Sequence, residues 1–409
     1  MYRLFFVVLS GIVAARAAAQ APARRDPEPV SLDLAINNVG LSIGNSRRLT
    51  GVRLNWRDAG VVRVEGINVT LWAPGQNPRA TIGGLAVGLV APGGATINGL
   101  AAGIVGIRAE RRLTGIGLAG GAILSHGRID GISLGGLAVV GDSNVTGINA
   151  ASLAVMSRAQ LTGFNVAGAS IIAAGGARGV QLAGLATVAQ RRLTGITFGG
   201  LAVISEGATT GLTISGLGVA GRGPMTGAAL GGLVTFASGP MRGIHAGGLA
   251  VVAEGGASGL TLGGAAVVSS GAVRGFTASA GAVMAGRYIR GVTVAGLGIV
   301  ADGDVSWLAL SGGTLNATGA ASGILTGLYR VRSPVVTGLA VSAVSFRTAA
   351  LRGIAVAGYN DVRVQRGLAV GLYNDARQLH GVQVGLINRA RDNPSWARWL
   401  PLVNMRFGE

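Results

Sequence analysis

Three histidines are the side chains best suited to acid–base or metal chemistry in this chain, which has 409 residues and no cysteine. His126, His245 and His380 are widely separated along the sequence. A metal site or a catalytic dyad needs at least two such groups within a few ångströms of each other. In a stacked repeat, His126 and His245 would lie roughly 35 Å apart. We therefore expect the histidines to be separate surface residues, and we assign them no catalytic or metal-binding role.

The acidic and hydroxyl residues form no candidate site either. The 16 acidic residues are dispersed, and the Asp302-Gly303-Asp304 pattern of a calcium-binding turn is not repeated in neighbouring turns, as such a repeat would require. No serine stands in a recognisable Ser-His-acid arrangement. The pair Gly199-Gly200 is not followed by the Lys-Ser/Thr of a phosphate loop. We predict that the protein is not an enzyme, has no cofactor and has no evident small-molecule substrate.

Glycine and apolar side chains dominate the composition. There are 73 glycines, hydrophobic residues make up 49% of the chain, and the mean hydropathy of +0.53 is too apolar for a disordered protein. The formal net charge of +18 is carried by arginine alone, since the chain has no lysine. These arginines are scattered and are not interleaved with aromatic residues, so nucleic acid is not favoured as a partner. We expect them mainly to keep turns soluble.

The N-terminus has the pattern of a secretory signal peptide. Arg3 precedes an apolar run over residues 4–15, and three alanines at 17–19 form a small-residue cleavage site. The apolar run is too short for a stable transmembrane helix. Residues 1–19 are therefore predicted to be removed on export, and residues 20–30 to form a flexible lead.

A repeat of 16 residues organises the centre of the chain. Glycine returns every 16 residues in twelve consecutive units, and Trp307 takes the place of the next glycine. We number each unit from its glycine as position 1. Later units, which begin at Gly323, are 14 or 15 residues long. The glycines that open the twelve regular units are Gly115, Gly131, Gly147, Gly163, Gly179, Gly195, Gly211, Gly227, Gly243, Gly259, Gly275 and Gly291.

The residues within a unit follow the pattern of a strand. Positions 2 to 4 alternate apolar, polar and apolar residues, as in Ile196-Thr197-Phe198, which is the period of a strand and not of a helix. Positions 5 and 6 are small, position 7 is usually Leu, position 9 is usually Val or Ile, and positions 12 to 14 carry turn residues. We expect a corner or bulge at positions 5 and 6 that brings positions 7 and 9 to the same inner side as positions 2 and 4.

Two all-β folds agree with this repeat. In a parallel β-solenoid each unit forms one coil, and equal positions stack about 4.8 Å apart. In an outer-membrane antiparallel β-barrel, positions 1 to 11 would form one strand. Aromatic residues are only 4% of the chain, too few for the two aromatic girdles of a barrel. A barrel would also place the apolar residues of positions 7 and 9 in its polar lumen. We therefore predict a repeat β-solenoid with 16-residue coils, and the barrel is the alternative.

Position 10 is apolar throughout, although it adjoins the inward position 9. Strict alternation would turn it outward, as an apolar stripe of the kind that marks a membrane or partner surface. A second corner would instead place both side chains inside. The residues of this candidate interaction stripe are Leu124, Val140, Met156, Ile172, Val188, Ile204, Phe236, Val252, Val268, Met284 and Val300.

The C-terminal units contain a more specific pattern. They read GIAVAGYNDVRVQ from Gly353, GLAVGLYNDARQLH from Gly367 and GVQVGLINRARDNPSWARWLPL from Gly381. This form resembles a family of bacterial cell-surface repeat proteins built from Gly-Leu-x-Asn units and closed by an Asn-Pro, Trp and Leu-Pro-Leu segment. The resemblance covers about residues 353–407 well and the N-terminal segments GVRLNWRD and GINVTLW loosely, whereas the central array has Ala or Ser in place of the Asn. It implies export and a surface or outer-membrane location, and no known chemistry.

These patterns predict a role and a division of the chain. We predict an exported, non-catalytic surface repeat protein of a diderm bacterium, a structural or adhesive scaffold at the cell surface, in the outer membrane or in the periplasm. An outer-membrane β-barrel channel or anchor is the alternative. The candidate partners are the outer membrane and cell-surface polymers. The predicted segments are a signal peptide at 1–19, a flexible lead at 20–30, an N-terminal β segment or cap at 31–98, the regular array at 99–322, looser repeats at 323–390 and a C-terminal cap at 391–409.

Overall fold

The computed structural model describes residues 30–75 and 77–407, and the chain divides into two compact units, Met1–Ala150 and Ala151–Glu409. The predicted signal peptide, and all of the predicted lead except its last residue, lie outside the described residues. Every regular element in the described part is a β-strand. Among these residues no helix has the length and apolar character needed to cross a bilayer.

Parallel coils build the first unit. Arg48–Asn55 pairs in parallel with Arg63–Thr70, which pairs in parallel with Thr81–Gly88. The repeated glycines of neighbouring coils lie in register, as Gly51 does with Gly66. The strands of this unit are Ser31–Ile36, Val39–Gly44, Arg48–Asn55, Arg63–Thr70, Thr81–Gly88, Gly93–Gly103, Gly106–Ala119, Ala122–Ser125, Arg128–Gly135, Ala138–Gly141 and Val145–Ala151, whose last residue belongs to the second unit.

A coil of two strands repeats through the second unit. The longer strand of a regular coil runs from position 15, across the repeated glycine, to position 5, and the shorter strand covers positions 8 to 11. The longer strands are Leu161–Ala167, Ala177–Ala183, Leu193–Gly199, Thr209–Ser215, Met225–Gly231, Met241–Gly247, Ala257–Gly263, Val273–Ser279, Ile289–Ala295, Val305–Ser311 and Ala320–Gly327. The shorter strands are Ala154–Ser157, Ser170–Ala173, Ala186–Ala189, Ala202–Ser205, Gly218–Gly221, Val234–Ala237, Ala250–Ala253, Ala266–Ser269, Ala282–Ala285, Gly298–Ala301 and Thr314–Ala317. Arg330–Val341, Ser345–Val356, Tyr359–Ala390 and Trp399–Arg406 complete the unit.

Parallel pairing between equal positions confirms the predicted solenoid. Leu193–Gly199 pairs with Thr209–Ser215, one coil further on, and each residue lies opposite the residue 16 positions later. The shorter strands pair in the same way, as Ala202–Ser205 does with Gly218–Gly221. An antiparallel barrel would instead join each strand to the next strand in sequence with opposite direction. The barrel alternative is therefore wrong for these coils.

An antiparallel strand lies at the chain end of each unit. In the first unit, Ser31–Ile36 pairs with Val39–Gly44 through a two-residue turn in which Asn37 and Asn38 have φ values of 52° and 64°. In the second unit, Trp399–Arg406 runs antiparallel to the end of the long strand segment Tyr359–Ala390. Such a strand occupies hydrogen-bonding groups that an open solenoid edge would offer to another chain.

The residues that face inward differ from our prediction. Positions 3, 5, 9, 11 and 15 are buried in all nine regular coils between Gly163 and Ser306, whereas positions 2, 4, 7 and 10 are not. The placement of positions 2, 4 and 7 inside was therefore wrong, and that of position 9 was right. The longer strand passes through the repeated glycine without changing sides, so an inward position 15 requires inward positions 3 and 5. Large side chains at positions 9 and 15, such as Val203 and Leu193, already fill the narrow interior.

Polar side chains stack in columns inside the coils. At position 3, Gln181, Thr197 and Thr213 lie opposite one another in successive strands and are buried. In the looser coils, the Asn of the Gly-Leu-x-Asn pattern forms a buried ladder. The ladder runs from Asn360 through Asn374 to Asn388, with amide-to-oxygen distances of 2.7 and 2.6 Å. Each amide of this ladder also donates to a backbone carbonyl, so the ladder connects coils without leaving its amide nitrogens unpaired.

Candidate interaction surface

Apolar side chains line the outside of the regular coils of the second unit. In the coil that begins at Gly195, the exposed fractions are 48% for Ile196, 43% for Phe198, 47% for Leu201 and 36% for Ile204. These residues occupy positions 2 and 4 on the longer strand, position 7 at the corner and position 10 on the shorter strand. Both outer faces of the coil and the corner between them are therefore apolar.

In each unit taken by itself, the position-10 residues of the predicted stripe face outward. None of its eleven side chains is buried, and Leu124, Ile204 and Met284 are 45%, 36% and 45% exposed. In the second unit, equal positions are in register, as Val188 is with Ile204. The alternative of a second corner with both side chains inside is wrong, because position 9 alone turns inward.

Sequence reasoning missed three further outward columns, at positions 2, 4 and 7. Their large exposed members in the second unit are Phe164, Ile196, Ile244 and Phe276 at position 2, Phe198, Leu262 and Val294 at position 4, and Leu153, Leu185, Leu201, Leu217, Leu233, Leu249 and Leu297 at position 7. A count of charges by position shows one long uncharged stretch but does not distinguish its outward positions from its buried ones. No Asp, Glu, Arg or Lys occupies positions 2 to 10 in any of the twelve regular units.

The charged residues of the regular units are confined to the opposite edge of the coil. All ten arginines and six acidic residues of these units stand at positions 12 to 14 or at position 16. In the second unit, Arg274 and Arg290 at position 16 are direct neighbours in adjacent strands. The guanidinium carbon of Arg274 lies 5.1 Å from the ring centroid of Tyr288. Each regular coil of the second unit is therefore amphipathic in cross-section, with a charged turn edge and an uncharged corner. The corner residue is Leu in six of the nine coils from Gly163 to Ser306, and we call this edge the Leu corner.

The backbone at the Leu corner is paired from coil to coil. The amide of Leu201 donates to the carbonyl of Leu185 at 2.7 Å, and the amide of Leu217 donates to the carbonyl of Leu201 at 2.9 Å. The amide of Leu233 continues this series to the carbonyl of Leu217 at 2.8 Å. Because these amides and carbonyls need no water, the position-7 backbone meets the requirement for entering an apolar medium.

Trp307 occupies the position of a repeated glycine at the end of the regular array. Its φ is 90°, in the left-handed region, and it lies opposite Gly291 in one neighbouring strand and Gly323 in the other. The residue is 67% exposed, so burial contributes little to offset the strain. Such strain is typical of positions retained for function.

Replacing Trp307 with glycine is expected to stabilise the second unit by about 1–3 kcal/mol, because glycine adopts this φ without strain. Urea unfolding of the purified protein measures the change. Trp307→Ala retains a Cβ atom on the strained backbone and should gain much less. A Trp307→Gly variant that unfolds at lower urea concentration than the wild type would contradict this interpretation.

The structure does not bring the three histidines together into one site. His126 is exposed in a turn of the first unit, with its Nδ1 3.8 Å from a carboxylate oxygen of Glu110. His380 is partly exposed on the second unit. His245 is fully buried at position 3, between Ala229 and Thr261, so our expectation of a surface histidine was wrong there. Within the described residues, no group of three His, Cys, Asp or Glu side chains could hold a metal ion.

Burial lowers the pKa of His245 below its ordinary value of 6.5, and the backbone of Arg242 offsets this only in part. The unfolded chain therefore takes up a proton before the folded chain does. Stability should be full above about pH 6.5 and fall as the pH drops toward the lowered pKa, by about 1.4 kcal/mol for each pH unit that separates the folded and unfolded pKa values. His245→Thr, with the residue that neighbouring coils carry, should lose this dependence. Melting temperatures of both proteins between pH 8 and pH 5 test this, and parallel curves would contradict it.

A buried ion pair in the first unit is the most enclosed charged group of the structure's described part. Arg53 Nη1 lies 2.7 Å from Asp58 Oδ1, and both side chains are fully buried. Asp58 also accepts hydrogen bonds from Thr70 at 2.7 Å and from the Asn68 amide at 3.2 Å. Arg53 Nη2 donates to Asn45, whereas Arg53 Nε is buried without a hydrogen-bond partner. Desolvation lowers the pKa of Arg53, and Asp58 counteracts it. This network connects a strand to the following loop and leaves Asp58 saturated with donors.

The apolar outer columns of the second unit remain the best candidate for an interaction surface. They combine exposure, regular spacing and an absence of charge, whereas the buried histidine and the ion pair are internal. Comparison of the chain with protein-family models, with curated proteins and with solved structures finds no match.

Proposed function

We propose that this chain is an exported, non-catalytic scaffold of a diderm bacterial envelope, which holds a partner through the uncharged outer surface of its regular coils. The observation that carries the proposal is the exclusion of every charged residue from positions 2 to 10. A surface that only had to remain soluble would carry charge on its outward positions. Here the outward positions are apolar and the charges stand at one edge.

The size of this surface supports a partner. Nine coils stacked at about 4.8 Å extend for roughly 43 Å, and positions 2 to 10 follow a contour of about 26 Å. The resulting area, on the order of 1,100 Å², exceeds the 300–600 Å² of the largest apolar patch on a typical soluble monomer. Because every coil offers uncharged side chains at the same outward positions, many weak contacts add up to firm attachment.

The location in the envelope is supported by the sequence. The N-terminal pattern around residues 1–19 is that of a signal peptide, and the C-terminal units resemble those of bacterial surface repeat proteins. We propose no catalytic role because the histidines and acidic residues are scattered along the chain. We therefore place the chain at the cell surface, in the outer membrane or in the periplasm, in a structural or adhesive role.

Expression of the full chain in a diderm host tests this proposal. We expect export, cleavage near Ala19 and retention in the envelope fraction, which mass spectrometry of separated fractions detects. The variant Leu217→Glu/Leu233→Glu puts two charges on the corner, where these leucines are 49% and 51% exposed, and should move most of the protein to the soluble periplasmic fraction.

A charge-matched control separates the surface from net charge. Gln190→Glu/Ser238→Glu adds the same two charges at position 12 of the turn edge and should leave retention unchanged. Protein that remains in the cytoplasm would overturn the proposal. Equal retention of the wild type and the corner variant would overturn it as well.

A further inference from the structure

We infer that the partner is lipid: the Leu corner of the second unit enters one leaflet of a bilayer that contains anionic headgroups, and the charged turn edge remains at the headgroups. This inference rests on the proposed scaffold function and names its partner. It concerns the nine regular coils from Gly163 to Ser306, which have an uncharged corner in every coil.

The depth of the uncharged part of the coil fits a leaflet. Extended strand from position 2 to position 5 spans about 10 Å, and the corner at positions 6 and 7 extends the uncharged part to at most about 17 Å. Half of a bilayer's hydrocarbon core is about 15 Å thick. The charges of positions 12 to 14 and 16 would thus lie at the level of the headgroups when the corner is fully inserted.

The backbone allows this placement. An apolar medium accepts a strand or corner only if its amides and carbonyls are already paired. The corner amides of Leu201, Leu217 and Leu233 each donate to the coil before, and the amides of position 8 do the same, as Ala202 does to Leu185 at 3.1 Å. The amides of positions 7 and 8, and the position-7 carbonyls that accept from them, can therefore enter hydrocarbon already paired.

The charged edge favours anionic headgroups. The nine coils carry eight arginines and four acidic residues, all at this edge. One shallow cleft is lined by Arg178, Arg191, Arg192 and Glu206, and another by Arg242, Arg274, Arg287 and Glu254, so each has three guanidinium groups and one carboxylate. Clustered guanidinium groups bind phosphate oxygens with paired hydrogen bonds. Arginines that flank an apolar surface are the arrangement expected of a protein that lies in a membrane interface.

Trp307 marks the boundary between the two regions. It stands at position 1, between the charged positions of the turn and the apolar positions 2 and 4, and its side chain is exposed. Tryptophan is enriched at the level where hydrocarbon meets headgroups. An interfacial role gives a reason for keeping a strained residue where glycine fits.

A second copy of the chain fits this surface less well than lipid does. The apolar columns cover both outer faces and the corner of each coil, and a flat neighbour would cover only one face. A bilayer can surround all three sides and supplies the opposite charge.

Binding of the purified mature chain to lipid vesicles tests the inference. The probes are vesicles of phosphatidylcholine alone and of phosphatidylcholine with phosphatidylglycerol, and co-sedimentation measures the bound fraction. We expect binding to both, tighter to the anionic vesicles. Leu217→Glu/Leu233→Glu should weaken binding at least tenfold, and the charge-matched Gln190→Glu/Ser238→Glu only a few-fold. Trp307→Gly, a fold-stabilising change, should weaken binding several-fold and remove part of the fluorescence quenching by brominated lipids.

The outcomes separate this inference from the function on which it rests. The lipid inference would be overturned if the wild-type chain bound neither kind of vesicle. It would also be overturned if the corner variant and the turn variant lost binding to the same extent. If the corner variant is nevertheless lost from the envelope fraction in cells, the proposed scaffold function is retained and its partner is not lipid. Concentration-dependent self-association that Leu217→Glu/Leu233→Glu abolishes would identify that partner as a second copy. Circular dichroism of every variant checks that the coils remain folded.

Discussion

Replacing Gly211 with alanine is expected to destabilise the second unit by about 3 kcal/mol or more, since backbone strain and a close contact add together. Gly211 has a φ of +111°, which side-chain-bearing residues rarely adopt. A Cβ atom there would lie 2.2 Å from the carbonyl oxygen of Gly195 in the preceding coil. That oxygen belongs to the stacked backbone and cannot move without disturbing the parallel pairing.

Gly218, in the same coil as Gly211, provides the matched control. Its Cβ would meet only the carbonyl oxygen of Val234, at an ordinary distance of 3.4 Å. Alanine already stands at the equivalent position 8 in Ala186 and Ala202. Gly218→Ala should therefore change the free energy of unfolding, measured with urea, by no more than about 1 kcal/mol. Equal effects of the two substitutions would show that the register of the glycine column is wrong.

Removing the carboxylate of Asp58 is expected to cost the first unit about 3–5 kcal/mol, because it leaves the charge of Arg53 buried without its partner. Both side chains are fully buried, at a distance of 2.7 Å. The change Asp58→Ala also leaves the donors of Thr70 and Asn68 without their acceptor. Thermal unfolding followed by circular dichroism measures the loss.

Two further variants make this prediction specific. The exposed pair of Arg63 and Glu65 has side-chain exposures of 67% and 39%, so Glu65→Gln should cost no more than about 1 kcal/mol. In Arg53→Met/Asp58→Leu, no unpaired charge remains inside, and part of the lost stability should return. A double variant as unstable as Asp58→Ala would mean that the packing of these side chains, and not the unpaired buried charge, determines the loss of stability.

The sequence predicted the period, the strands and the parallel stack, because these follow from local spacing. Glycine at position 1 and turn residues at positions 12 to 14 recur with a fixed step, and any closed coil must use them in the same place. The side that faces inward was not predictable from alternation alone. A pattern such as Ile196-Thr197-Phe198 is equally regular in either orientation, and we assumed that its apolar members face the core.

The structure reverses that assumption for a physical reason. A 16-residue coil with two short strands encloses a thin interior, which Leu193 at position 15 and Val203 at position 9 nearly fill. Threonine and asparagine fit the remaining space, since identical polar side chains can stack in register along a parallel sheet. The candidate surface was therefore only partly predictable: position 10 was recognised, whereas positions 2, 4 and 7 were assigned to the core. His245 was misplaced by the same error, because position 3 is internal.

Cysteine labelling across one strand tests the central claim, that the apolar columns face outward, most directly. The chain has no cysteine, so single variants Ile196→Cys, Thr197→Cys and Phe198→Cys each carry one thiol. The wild-type side chains at these positions are 48%, 1% and 43% exposed. We predict that a maleimide reacts with the first and third variants in the folded protein, and with the second only after denaturation. Rapid labelling of the Thr197→Cys variant, with protection of the other two, would contradict the account.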